Sequence, residues 1–191
     1  MGKHHSFIKR FTDITISIVL LIISLPIIII AVIAIKLDSK GPVFFVQDRT
    51  GLNGKPFKMI KFRGMVNNAL EIGPELTQRN DPRITRVGKI LRRTSMDEIP
   101  QMFNVLKGDM SLVGPRPEIT SITSKYSEEQ KEVFKFKPGI TGYSQVNGRQ
   151  MLSPEERVNM EIDYYKKASF WSDLLIATST FKVIVSNEGN I

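Results

Sequence analysis

The chain has 191 residues, 41% of them hydrophobic and 24% charged, with 27 Lys and Arg against 19 Asp and Glu for a net charge of +8 and a pI near 9.7. There are no cysteines, which excludes disulfides, thiolate metal sites and cysteine nucleophiles. The two histidines, His4 and His5, sit at the extreme N-terminus, so acid, base or nucleophile work in a folded domain falls to carboxylates.

Ile14 to Ile35 is a run of 22 residues without a formal charge, preceded by a basic segment over 1–13 and followed by a polar, basic domain over 36–191. About 20 apolar residues in a helix suffice to cross the ~30 Å hydrocarbon core. Pro26 lies near the middle of the run and has no N–H to donate to the Ile22 carbonyl, and Ser24 can bond back to the preceding turn, so a kink is expected near Ser24-Pro26. Lys3, Lys9 and Arg10 precede the run and Lys36 and Lys40 follow it, and positive charge marks the cytoplasmic flank of a membrane segment. Two readings stand: a broken, re-entrant helix that enters and leaves by one leaflet, and a single kinked span. A cleaved signal peptide does not fit, because the apolar run is too long and no A-x-A site follows.

Pro42 to Arg49 and Pro56 to Arg63 are β-prone runs joined around Asn53-Gly54, which predicts a hairpin. Its aromatic Phe44, Phe45, Phe57 and Phe62 and basic Lys55, Lys58, Lys61 and Arg63 suit lipid headgroups, and the phenylalanines equally suit a core. A short helix is expected over Met65 to Ile72, closed by Gly73-Pro74. Next come Arg79, Arg83, Arg86, Lys89, Arg92 and Arg93, with Ile84, Val87 and Leu91 at helical spacing, the pattern of an amphipathic helix with a cationic face. Such a face is ordinarily just solvated; as a nucleic-acid surface it lacks interleaved aromatics and any reader motif.

Pro100 to Lys107 reads as a helix with Gly108 beyond its end, and Gly114 to Pro117 and Lys137 to Arg149 read as loops. Ser127-x-x-Gln130 is a capping box, and Ser153-Pro154-Glu155-Glu156 opens a helix to Lys167. Phe170-Trp171 and the apolar run Leu174 to Val185 predict a final helix, either with its aromatic start at the membrane interface or buried in the domain.

The chemistry-bearing residues are the adjacent acids Asp97-Glu98, directly after the basic stretch and ahead of a helix. Two carboxylates among cations suit a magnesium ion and a phosphate; Ser95-x-x-Glu98 also matches a capping box, so a purely structural reading stays open. Arg116 in Gly114-Pro115-Arg116-Pro117 offers a guanidinium on a stiff loop, suited to bidentate phosphate binding.

Taken together, Lys36 to Ser39, Gly41 to Phe45, Lys61 to Met65, LRRTSMDEIPQ over Leu91 to Gln101, NVLKGDMSLVGPRP over Asn104 to Pro117, and Lys137 to Arg149 resemble the bacterial sugar transferases, also called monotopic phosphoglycosyl transferases, in their small, minimal-core form. The resemblance covers nearly the whole chain and favours the re-entrant topology. One departure is that Leu25 separates Ser24 from Pro26, where the family often has an adjacent Ser-Pro pair.

The resemblance implies an α/β fold, mostly helical with a β-hairpin, in which a re-entrant membrane helix joins one compact catalytic domain with interfacial amphipathic helices on the cytoplasmic face of the bacterial inner membrane. It implies transfer of a sugar-1-phosphate from a UDP-sugar to polyprenyl (undecaprenyl) phosphate with release of UMP, not nucleic-acid binding. It assigns Asp97 as nucleophile and as the residue beside Mg²⁺, Glu98 as its support, and Lys61, Arg92, Arg116 and Arg149 as phosphate or nucleotide contacts.

Overall fold

The computed structural model describes residues 7–78, 80–147 and 153–186. Helix α1 runs from Phe7 to Asp38 and stays helical through Ser24 and Pro26. Proline removes one hydrogen bond and leaves those on either side, so the expected break does not interrupt the helix. Its central turns are exposed, with Ile22 and Ile23 at 68% and 67%, and the mean hydropathy of the segment reaches 3.4. A long apolar surface of this kind suits an apolar solvent, and α1 is long and apolar enough to cross a membrane, which is compatible with a membrane anchor.

Both ends of α1 dock on the rest of the protein. At the start, Lys9 Nζ stands 2.7 Å from Asp173 Oδ2. Asp13 accepts from Ser111 Oγ at 2.8 Å and from the Leu112 N–H at 3.2 Å. Arg10 donates to the carbonyls of Val105 and Leu106. At the other end, Ala31 and Ile35 pack with Phe62 and Leu91 in one apolar cluster. The Asp38 carboxylate accepts from the Val87 N–H at 2.9 Å, and the buried Arg63 holds the carbonyls of Ser39 and Lys40.

Strands β1 (Phe44–Thr50) and β2 (Pro56–Phe62) form the expected antiparallel hairpin, with Phe44 opposite Phe62 and Thr50 opposite Pro56. Asn53 adopts φ 57° at the turn, a conformation asparagine tolerates well. Phe57 and Phe62 are buried, whereas Phe44 is 42% exposed. Of the hairpin's cations, Lys61 and Arg63 face inward, which removes them from any headgroup surface.

Helix α2 is short (Ala69–Ile72), because Met65 instead bridges to Ile84 and Val66 bonds the Arg83 carbonyl. Helix α3 (Arg86–Arg93) is N-capped by Thr85 and crosses so close to Gly64 that a Cβ at Gly88 would lie 2.0 Å from the Gly64 oxygen. A 3-10 turn, Met96–Glu98, leads into α4 (Gln101–Lys107). The buried Asn104 amide stands in for a third strand at the edge of β2, accepting from the Ile60 N–H at 3.0 Å and donating to the Lys58 carbonyl at 2.6 Å.

The segment Lys137 to Arg149, read from sequence as a loop, contains β4 (Gly139–Thr141), which pairs in parallel with β3 (Ser111–Val113) just ahead of the Gly114–Pro117 loop. Strands of three residues leave no legible alternation. Helices α5 (Thr120–Thr123) and α6 (Tyr143–Val146) are single turns. Helix α7 (Pro154–Tyr165) starts on the expected Ser153/Glu156 capping box. Ser127 and Gln130 exchange their predicted reciprocal bonds ahead of a 3-10 segment, Gln130–Lys135. Helix α8 (Phe170–Ser186) closes the described chain, with Trp171 72% exposed at its start.

Candidate active site

The turn that carries the adjacent acids begins at Ser95, which sits in the left-handed region at φ 55°, ψ 15°. Its hydroxyl makes no capping bond, while its carbonyl accepts from the Glu98 N–H at 3.2 Å and its own N–H donates to the Arg92 carbonyl at 3.2 Å. The capping box suggested by Ser95-x-x-Glu98 is therefore not formed. A non-glycine residue in this region costs on the order of 1 kcal/mol, and such strain gathers where a side chain has to be aimed.

The strained turn sends the two acids to different fates. Glu98 Oε1 accepts from Lys61 Nζ at 2.6 Å. Asp97 is buried at 8% exposure, and among the described residues no other side chain bonds or pairs with its carboxylate. Burial pushes the Asp97 carboxyl up to about 6 against the pull of the Lys61 and Arg92 charges, with the Glu98 charge adding to the rise. For Glu98, burial also pushes upward but is outweighed by the charges of Lys61 and Arg116 and by hydrogen bonds from Lys61 and Gln101, so this carboxyl stays below its ordinary value. The site thus holds one committed and one uncommitted carboxylate.

Three of the predicted cations gather here. Lys61 comes from β2. Arg92 comes from α3, where the close crossing at Gly64 lays its stem against that glycine and its guanidinium donates to Thr77 Oγ1 at 3.0 Å. Arg116 is half-buried on its loop, close enough for its charge to act on Glu98. The loop is pinned on both sides of Arg116: the Gly139 N–H bonds the Pro115 carbonyl at 2.9 Å, and the Thr50 N–H bonds the Glu118 carbonyl at 3.1 Å. The Glu118 carboxylate in turn accepts from Arg157 Nη1. Arg149 lies outside the described residues. Arg83 leaves the basic stripe altogether: it is buried against Asp81 at 2.6 Å and ties the carbonyls of Ala69 and Pro74.

Sequence reasoning passed over Arg49, Gln101 and Glu161. Gln101 is buried next to Glu98. Glu161 is buried in α7, takes bonds from the Ser144 N–H and hydroxyl, and is pushed up to about 7 by burial against those donors and the Arg116 N–H. The hairpin register was the available signal for Arg49. With Phe45 opposite Lys61, strand alternation places Arg49 on the Lys61 face.

No cluster of three or more His, Cys, Asp or Glu residues is present among the described residues. A magnesium ion asks less than that, since it is held by one or two carboxylates together with water and substrate phosphates. The uncommitted Asp97 fits that requirement as a single protein ligand.

A buried carboxylate among the Lys61 and Arg92 charges, on a domain that clasps both ends of an apolar helix of membrane-crossing length, is an arrangement suited to an anionic substrate. The family model for the bacterial sugar transferases matches residues 4–187, and the chain belongs to that family. It is 43% identical over 197 aligned residues to the galactosyl transferase CpsE of Streptococcus agalactiae serotype III (strain NEM316), covering 97% of this chain and 44% of CpsE. It is 41% identical over 182 residues to the sugar transferase EpsL of Bacillus subtilis (strain 168), covering 95% of this chain and 89% of EpsL. It is also 41% identical over 190 residues to the UDP-glucose:undecaprenyl-phosphate glucose-1-phosphate transferase of Escherichia coli (strain K12), covering 94% of this chain and 40% of that enzyme. The chain thus spans less than half the length of CpsE and of the Escherichia coli enzyme.

Proposed function

We propose that this protein transfers a sugar-1-phosphate from a UDP-sugar to a polyprenyl phosphate such as undecaprenyl phosphate. The observation that carries the reading is Asp97: a buried carboxylate left without a side-chain partner among the described residues, beside a neighbour already neutralised by Lys61. The relatives named for undecaprenyl-phosphate transfer support the choice of substrates.

In the first step Asp97 Oδ attacks the sugar-bearing phosphorus, the bond from that phosphorus to the bridging oxygen breaks, and UMP leaves with the electron pair. An oxygen of the polyprenyl phosphate then attacks the same phosphorus, and the Asp97 carboxylate departs. Covalent catalysis separates a soluble donor from a lipid acceptor in time and gives ping-pong kinetics. Lys61, Arg92 and Arg116 hold and neutralise the phosphates, and Glu98 keeps the Lys61 ammonium in place. Magnesium, held by Asp97 and the phosphates, supplies further charge neutralisation when bound.

Both ends of α1 rest on one domain, which supports a helix that returns to the leaflet it entered rather than one that divides the protein between two compartments. Lys9, Arg10, Lys36 and Lys40 at the two ends favour the cytoplasmic face.

The test is UMP release from UDP-sugar, Mg²⁺ and polyprenyl phosphate, with labelled donor used to trap an adduct. The expected result is an adduct at position 97 that disappears, together with turnover, in Asp97→Asn. Full turnover by that variant would reject Asp97 as nucleophile.

A further inference from the structure

Two guanidiniums in the site have no carboxylate within ion-pair distance among the described residues. Arg116 makes no side-chain hydrogen bond or ion pair among the described residues. Arg49 donates Nη1 to the Pro117 carbonyl at 3.2 Å and Nη2 to Gln47 Oε1 at 2.7 Å, while its Nε is buried with no acceptor. No carboxylate lies within ion-pair distance of Arg49 among the described residues. Burial and the neighbouring Arg116 charge lower the Arg49 guanidinium to about 10, against the more distant carboxylates of Glu118, Glu75 and Glu98. A half-buried cation placed beside another cation, with a donor left over, is an environment that an anion completes.

The geometry also orders the cations. Lys61 and Arg49 share one face of the hairpin, with Lys61 opposite Phe45 and Arg49 four residues further along β1, opposite Phe57. Lys61 stands at the acids, and Arg49 stands beyond it on the side of the Pro115–Pro117 loop. Four strand residues span roughly 13 Å, a distance that two long side chains reaching inward reduce to the scale of a diphosphate.

We propose that Arg49 and Arg116 form a two-arginine clamp on the nucleotide-bearing phosphate of the donor, one phosphate removed from the phosphorus that Asp97 attacks. This rests on the function proposed above and adds Arg49 to the donor-binding residues. When Asp97 bonds to the sugar-bearing phosphorus and the bridging P–O bond breaks, the departing UMP phosphate gains a negative charge. Two guanidiniums aimed at it stabilise that charge as it develops. The clamp acts in the half-reaction that releases UMP and has no part in discharging the adduct to the lipid.

Exchange of labelled UMP into UDP-sugar by the full chain with Mg²⁺, without acceptor, reads the first half-reaction alone. Wild-type protein is expected to exchange. Arg49→Met is expected to raise the UMP concentration for half-maximal exchange about tenfold or more, the loss of a charge-assisted contact. Arg49→Lys, which keeps the charge, is expected to recover part of that loss. Discharge of preformed adduct to polyprenyl phosphate is expected to change less than about twofold, the scale of ordinary variation between folded variants.

Thermal unfolding identifies which variants are folded, and Arg49→Lys carries the UMP comparison if the Met variant is not. An unaltered UMP dependence in a folded variant, or equal losses in both half-reactions, would overturn the clamp and leave Arg49 as support for the Pro117 carbonyl. Absence of exchange by wild-type protein would reject the aspartyl intermediate itself, a different result from either.

Discussion

Lys61 Nζ lies 2.6 Å from Glu98 Oε1, and this pairing is what leaves Asp97 uncommitted. Both side chains are about four-fifths buried, at 17% and 21% exposure, so neither charge is well served by water if the other is removed. Lys61→Met is expected to lower stability by about 2 kcal/mol, and Lys61→Met/Glu98→Gln to regain most of it, because a neutral pair leaves no stranded charge. Thermal unfolding of the two variants in detergent checks the coupling. Neither variant is expected to recover donor turnover.

Ser95 separates a structural role for the acids from an aiming role. Its hydroxyl caps nothing, so Ser95→Ala is expected to change stability by less than about 0.5 kcal/mol, whereas loss of a capping serine costs about 1 kcal/mol. Ser95→Gly relieves the left-handed strain and is expected to raise the unfolding midpoint slightly. A clear loss of stability in Ser95→Ala would restore the capping box.

Glu161 sets a pH dependence of stability. Its folded pKa of about 7 lies above the ordinary 4.5, so between these values the native state binds more protons than the unfolded state. Stability contributed by this group is therefore full below pH 4.5, falls as pH rises and levels off above pH 7. The total is on the order of 3 kcal/mol for a group this buried. Glu161→Gln is expected to flatten that slope and to be more stable than wild type at pH 8, measured by denaturant unfolding at a series of pH values.

The topology can be read with thiol labels, because the chain has no cysteine of its own. Phe11 is 62% exposed near the start of α1 and Lys40 is exposed just past its end. Phe11→Cys and Lys40→Cys are expected to behave alike toward a membrane-impermeant maleimide, both protected in intact cells and both labelled in inverted vesicles. Opposite behaviour at the two positions would mean that α1 spans.

Several parts of the architecture were legible because they are local. The Asn53-Gly54 hairpin, the Ser153 capping box and the apolar run all rest on neighbours in sequence, and each is present. The β3–β4 pair was not legible, since Ser111 and Gly139 meet across 27 intervening positions and each strand is too short to show a period. Arg83 and Arg63 looked like surface cations from their composition. Their carbonyl partners lie in other segments, and burial turned both into internal braces, Arg83 also pairing with its near neighbour Asp81.

By itself, the order of residues determined that the chain carries a membrane-length apolar helix, a basic domain, and two adjacent acids as its most suggestive catalytic groups. Which acid is free, which cations surround it and where the helix ends are anchored were decided only in three dimensions. A carboxylate's state depends on how much water it keeps and which charges lie a few ångströms away. Lys61, Asp173 and Arg49 reach those distances only after the hairpin, α8 and the Pro115–Pro117 loop have folded against their neighbours.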